Sequence, residues 1–524
     1  MAGNALRTPR SYGRYVLVGL GLLLLTALLV FLSFRVRDWM LDDAFISFRY
    51  AENLAHGHGL VYNLGERVEG YTNFLWTIIL SIFHLFGAGT VSVSRILGLA
   101  LGVLTLLMTW LVTWKPEDST SLARSLLAPV LLTSSMFFAV WGLSGMEVTM
   151  FAFLILLSVL LHSGLRTPHS AFRALLCGLA LTLTAMTRPE GLMLAGLCLF
   201  LLVTETKKDA AGARSDPAIP AAPAILRFPR FVLLLAGLAI LYLPYYIWRF
   251  SYYGYPLPNT FYAKVGISVY QIPRGLFYLW DFIKCCPLLL VSAAVGAVAL
   301  WRKPLTRIAA LSSLLFVVYV VAVGGDCMPG FRFFAPVAPL LSLLAADAIS
   351  WLAGRAKTGT ARAALLIGLT LTIAGLNLFT TLSHPAVLAS IQQDKVVYYG
   401  RIAGEKLRAM ARPDAVVATN TAGTIPYYSC LRTIDMLGMN DLHIAHLPTV
   451  MGKGRAGHEK ADGNYVLSRK PDYIQFCSSW GSYEPFFRGD SEVFASAEFR
   501  AHYQFRHYPL EGDLRLALWE RKPE

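Results

Sequence analysis

Asp42 and Asp43 stand side by side just beyond an apolar run, Tyr15 to Phe34, that is long enough to cross a bilayer. One aspartate is enough to cap a helix start. Two adjacent carboxylates at a membrane boundary are costly, and such clustered charge points to function. A carboxylate there can take a proton from an attacking hydroxyl, while its neighbour orients it or helps to hold a divalent cation such as Mg2+ or Mn2+. Which of the two is the base stays open. The same stretch continues through Arg49 to Glu69, Tyr71 and Asn73, whose polar tips suit substrate hydroxyls, although tyrosine is equally an interfacial anchor. His56 and His58 alternate in a glycine turn without the further ligands a zinc site needs, and read as solvated or capping residues.

Three polar islands interrupt apolar sequence: Gly145-Met146-Glu147, Thr187-Arg188-Pro189-Glu190-Gly191, and Gly324 to Arg332, which contains Asp326. Charges so placed face a cavity or a partner, so the islands should converge. For Glu147, Glu190 and Asp326 an ion pair that only positions helices has equal weight. Arg188 and Arg332, beside backbone N–H groups freed at Gly/Pro breaks, suit a phosphate gripped in a bidentate manner. A fourth island, Tyr252 to Lys264, holds Asn259 and Tyr262 as contacts for a substrate and Lys264 as a further phosphate ligand.

The elements that must position these groups lie in a membrane. The chain is 56% hydrophobic and only 15% charged, unlike a soluble globular domain. Seven cysteines in 524 residues exclude a disulfide scaffold. Apolar windows fall at 14–34, 74–88, 95–114, 123–143, 146–162, 172–187, 190–205, 230–250, 284–301, 308–323, 335–353 and 363–383. Basic stretches at 7–14, 162–173, 207–230, 302–307 and 355–362 read as cytoplasmic loops and explain much of the +14 charge, so no nucleic-acid partner is called for. An Ala/Pro-rich tract at 209–224 reads as a flexible part of one such loop.

An inner N-terminus and an outer C-terminal portion require an odd number of crossings, about eleven, so one window must turn back. The pair at 123–162, with its break at Gly142 to Glu147, is the suspect, and the break should line a cavity. Residues 1–383 thus form the membrane domain, with an outer loop at 35–73 carrying the aspartates. In that loop Ala44, Phe45, Phe48, Ala51 and Leu54 fit a helix along the membrane surface, ended at Gly57. Residues 384–524 have soluble composition, with strands at 416–418 and 473–476 and a helix near 397–410, and read as an α/β domain. Cys430 and Cys477 fall in it and could pair if geometry allows.

The run Leu41-Asp42-Asp43-Ala44-Phe45-Ile46-Ser47-Phe48-Arg49-Tyr50, with Gly59 to Asn63 and Gly65 to Thr72, resembles the first outer loop of the GT-C superfamily. These are polytopic glycosyltransferases that use lipid-linked sugars. Within the superfamily the residues look most like terminal arabinofuranosyltransferases of the mycobacterial cell wall and a pilin arabinofuranosyltransferase of Gram-negative bacteria. The likeness continues through Ala418-Thr419-Asn420-Thr421-Ala422-Gly423 and Thr433-Ile434-Asp435-Met436-Leu437-Gly438. It implies a polyprenyl-phosphate sugar donor, a catalytic aspartate that is here Asp42 or Asp43, and a glycan, lipid or pilin-type acceptor. Transfer, of arabinofuranose by this likeness, would occur on the extracytoplasmic face of a bacterial inner membrane. Transfer of a hexose, an aminoarabinose or a whole oligosaccharide is the alternative. A transporter is a more distant one, since no paired repeats with matching broken helices are evident.

Overall fold

A computed structural model describes residues 9–114, 121–166, 170–212, 228–266, 268–391, 395–510 and 512–523. Most of the Ala/Pro-rich tract at 209–224, and Arg7 of the first basic stretch, lie outside the described residues.

Every apolar window of the sequence is helical, but not every helix is long enough to cross a bilayer. Among the described residues, seven helices are long and apolar enough: Tyr15–Phe34, Thr90–Thr113, Ser170–Thr187, Pro229–Tyr253, Pro304–Val323, Ala335–Ala353 and Gly359–Ser383. Two further windows belong to bent pairs, Ala123–Thr133 with Met136–Leu143 (67°) and Gln271–Cys285 with Pro287–Ala299 (97°), which raise the count to nine if each is one span. Phe74–Leu85, Val148–Ser163 and Gly191–Thr204 are shorter than the roughly 20 residues a straight span needs. The expectation of about eleven crossings counts all these windows alike. The second bend falls at Cys286-Pro287, where proline opens a new helix without needing an N–H donor. In the suspect region the 67° bend is followed by a buried turn, Ser144 to Glu147, which returns the chain into Val148–Ser163.

Close helix contacts are made through small residues. Gly178 and Gly237 lie so near that a Cβ on Gly178 would stand 2.9 Å from the Gly237 Cα, and Thr182 Oγ1 donates across the same crossing to the Leu238 carbonyl at 3.0 Å.

The C-terminal portion holds one sheet of five strands: β1 (Val416–Thr419), β2 (Arg432–Asp435), β3 (Tyr473–Gln475), β4 (Tyr503–Pro509) and β5 (Arg515–Arg521). Their order is β2-β1-β3-β5-β4, with β1 parallel to β2 and β3, and β5 antiparallel to β3 and β4. Alternation along β1 sends Ala418 to a cluster with Ile434, Ile474, Phe476 and Trp519, and Val417 to another with Leu407, Leu516 and Leu518. Leu407 comes from the helix Val396–Met410, which covers that second side.

The helix Asp42–Ala55 joins the two parts. Phe45, Phe48 and Ala51 pack into the membrane core, as the sequence pattern requires. Its other side is not on a membrane surface. Ile46 and Tyr50 are buried too, in a cluster with Ala422, Met439 and Ala445 of the C-terminal portion. Asn63 strengthens the joint by bonding both ways with Thr433, its Nδ2 donating to the carbonyl at 2.8 Å and its Oδ1 accepting from the amide at 3.0 Å.

Candidate active site

Leu41 is the residue before the helix Asp42–Ala55, so both aspartates occupy its first turn and neither side chain caps it. They part at once. Asp42 turns to the C-terminal portion and accepts from Gly423 N (2.8 Å), Thr424 N (2.7 Å) and Thr424 Oγ1 (2.6 Å) at the start of the helix Thr424–Ser429. Asp43 instead meets two cations, Lys264 Nζ at 3.5 Å and Arg332 Nη1 at 3.3 Å.

The surroundings push the two acids in opposite directions. Burial raises Asp42 to about 6, more than the hydrogen bonds from Thr424 and Gly423 lower it, with Asp43 adding repulsion. Burial also raises Asp43, but Lys264, Arg332 and His458 together outweigh it and bring that carboxyl to about 2. A raised carboxyl means that the folded chain binds a proton the unfolded chain releases between pH about 6 and 3.8. Asp42 therefore favours folding more as the pH falls through that window. We expect the thermal unfolding midpoint of the wild type to gain on that of Asp42→Asn as pH is lowered from 7 to 4, and a constant difference would contradict this assignment.

Asp43 opens into a cavity of about 390 Å3 with mostly apolar walls, lined among others by Ile46, Tyr71, Asn73, Glu147, Arg188, Glu190, Lys264, Tyr319, Arg332 and Phe333. The polar islands thus converge here. A chain of buried contacts runs along the wall. Ser47 Oγ donates to Asn73 Oδ1 (2.9 Å) and Asn73 Nδ2 to Glu147 Oε2 (2.8 Å). Arg188 joins Glu147 (2.9 Å) to Glu190 (3.1 Å), and Tyr319 OH donates to Glu190 Oε1 at 2.8 Å. Arg332 is held from behind by both oxygens of Asp326, at 2.8 and 3.1 Å, so one guanidinium is shared between Asp326 and Asp43. Arg188 and Arg332 both lie over the Phe333 ring, 5.5 and 5.3 Å from its centroid.

Other residues singled out from sequence do not reach this cavity. Arg49 donates to the carbonyls of Tyr62, Pro426 and Leu431, locking the first loop to the C-terminal portion. Glu69 pairs with the buried Arg249 (2.6 Å). Asn259 Nδ2 donates to the carbonyls of Gly438, Met439 and Asp441, and Tyr262 packs on the His446 ring 4.4 Å away. Asp326 lines adjoining cavities and touches the wall of this one through Arg332. His56 meets the His84 ring edge-on (5.2 Å between centroids), and Cys430 and Cys477 are both free thiols. Tyr319 was not foreseen, because a lone tyrosine in an apolar helix reads as core.

Among the described residues no three His, Cys, Asp or Glu side chains gather where a metal ion could sit. Asp42 is engaged by three donors, and one oxygen of Asp43 faces two cations.

Comparison with known proteins agrees with this architecture. Residues 389–518 match a domain of unknown function (DUF8728). Over 389 residues the chain is 29% identical to a terminal beta-(1->2)-arabinofuranosyltransferase of Corynebacterium glutamicum, covering 65% of this chain and 52% of that protein. It is 25% identical to its Mycobacterium tuberculosis namesake over 385 residues, covering 66% and 58% respectively. The chain therefore spans a little over half the length of the curated relatives it matches. Among solved structures, ArnT from Cupriavidus metallidurans bound to undecaprenyl phosphate aligns over 97% of this chain and 99% of its own, with a TM-score of 0.57 at 12% identity. AglB from Archaeoglobus fulgidus, in complex with an inhibitory peptide and a dolichol-phosphate, aligns over 98% and 74% with a TM-score of 0.50 at 10% identity. In fold the chain is a polytopic α-helical membrane protein of GT-C-like architecture with a C-terminal sheet, and in sequence it is similar to the terminal arabinofuranosyltransferases.

Proposed function

We propose that the chain transfers a sugar, arabinofuranose by the likeness of its relatives, from a polyprenyl phosphate to a hydroxyl of a cell-envelope glycan, lipid or pilin-type acceptor. The observation that carries this reading is a single carboxylate, Asp43, held between two cations at the edge of an apolar cavity. A prenyl chain suits the apolar walls, and its phosphate suits Lys264 and Arg332. These two side chains supply the charge that Mg2+ or Mn2+ would otherwise bring to a leaving phosphate. In the reaction the acceptor oxygen bonds to the anomeric carbon as the bond from that carbon to the phosphate oxygen breaks. The phosphate keeps the electron pair, and the hydroxyl proton passes to Asp43. When phosphate engages Lys264 and Arg332, the attractions that depress Asp43 weaken and burial raises it again, which makes it a better base.

The same helices support an orientation. Ser170–Thr187, Pro304–Val323 and Ala335–Ala353 each have one end near a basic stretch, at Arg173, Lys303 or Arg355, and the other near Arg188, Tyr319 or Arg332 at the cavity. By the positive-inside rule the basic ends face the cytoplasm, so the cavity, Asp43 and the C-terminal sheet belong on the extracytoplasmic face of an inner membrane. The division at residue 383/384 into a membrane domain and an outer α/β domain is part of this reading. Mass spectrometry of surface glycans, lipids and pilins from cells with and without the chain tests it: a missing pentose is expected, whereas a missing hexose, aminoarabinose or oligosaccharide would replace arabinofuranose with that group.

A further inference from the structure

Two polar atoms lining the Asp43 cavity have no hydrogen-bond partner among the described residues. Glu190 Oε2 and Thr260 Oγ1 are both shielded from solvent and both unpaired. Buried acceptors are nearly always satisfied, and a carboxylate oxygen left bare is the more costly kind of exception. Glu190 is not loosely placed. Its other oxygen is fixed by Arg188 Nη2 at 3.1 Å and Tyr319 OH at 2.8 Å, and the side chain is only 10% exposed. The turn that presents it folds tightly on the preceding helix. Gly191 N donates to the Arg188 carbonyl (2.9 Å), and a Cβ on Gly191 would stand 2.5 Å from Ala185 N. Thr260 lies four residues before Lys264 in the helix Asn259–Lys264, which puts both on one side of it.

We propose that Glu190 and Thr260 read the hydroxyls of the donor's sugar, with Arg188 and Tyr319 as positioning residues; this rests on the reading of the cavity as a lipid-phosphate sugar site. A carboxylate repels phosphate, so the ligand group that suits Glu190 Oε2 is an uncharged donor, and a sugar hydroxyl is one. The sugar is bonded to the phosphate held by Lys264, so the hydroxyls closest to that bond fall beside Thr260. Glu190 is then a specificity-determining residue, and a donor sugar lacking the hydroxyl it reads leaves a buried carboxylate oxygen bare.

The test uses the purified full chain in liposomes, with polyprenyl-phosphate sugars and versions lacking one ring hydroxyl at a time. Glu190→Gln is expected to lower kcat/KM for the complete donor on the order of 10- to 100-fold. For one deoxy donor the wild type should fall by a similar factor and Glu190→Gln should fall no further. Thr260→Val should show the same non-additivity at a different hydroxyl, with a smaller loss. Binding of sugar-bearing and bare polyprenyl phosphate is measured alongside. Glu190→Gln should lose the extra affinity due to the sugar and keep that for the bare phosphate, a result that does not depend on turnover. Equal loss against every deoxy donor, equal loss of bare phosphate binding, or no loss at all would overturn the proposal. A wild type that turns over a hexosyl donor in place of an arabinofuranosyl one would instead overturn the sugar assigned above, and the same deoxy comparison then applies to that hexose.

Discussion

Asp43→Asn is expected to lower transfer about 10²- to 10⁴-fold, the usual contribution of a positioned general base. The change keeps the shape of the side chain and removes its ability to take a proton. It also removes the negative charge between Lys264 and Arg332, so the apparent affinity for polyprenyl phosphate should hold or rise while kcat falls. Asp42→Asn gives the contrasting result. Its oxygens are engaged by Gly423 and Thr424, so its loss loosens the joint with the C-terminal portion and should leave transfer within about tenfold of the wild type, near the worth of one hydrogen bond. Expression and unfolding midpoints measured in parallel separate the two. Full activity in Asp43→Asn would remove the base from this account.

Arg332→Ala is expected to lower kcat about 10²- to 10³-fold, as loss of one donor to a developing negative charge does elsewhere. A complication comes with it. Asp326 would be left buried without its partner, and breaking a buried pair costs about 3–5 kcal/mol of stability. The double change Arg332→Ala with Asp326→Asn removes that stranded charge. The double variant should regain stability without regaining transfer, whereas recovery of both would mean that Arg332 is structural. Arg332→Lys restores the charge without the planar fork and should recover only part of the rate.

Much of the site was legible because charge is rare in this chain. Glu147, Arg188, Glu190 and Arg332 stand in apolar sequence, and the cost of facing lipid is what drives them to one cavity. What sequence could not show is which polar residues serve the joint. Asp42, Arg49 and Asn259 bond mainly to backbone groups of the C-terminal portion, 180 to 382 residues away, and only the folded chain brings those groups within reach. The likeness at Ala422-Gly423 carried a hint. A Cβ at Gly423 would stand 2.8 Å from the Asp42 carboxyl carbon, so that position is needed bare by the first loop. Of the five strands, β1 and β3 were readable from short apolar runs. β2 and β4 include exposed, charged residues, and β5 starts with one, so their pattern fades at the sheet edge and ends. Crossing number is the least legible feature, because apolar windows do not show where a helix bends.

We propose that Asp43 drives transfer of a sugar from polyprenyl phosphate. The direct measurement reconstitutes the purified chain in liposomes with a labelled polyprenyl-phosphate arabinofuranose and a glycan acceptor. Labelled pentose should appear on the acceptor with the wild type and fall to background with Asp43→Asn. Label that moves between leaflets without reaching an acceptor, or transfer unchanged in Asp43→Asn, would contradict it.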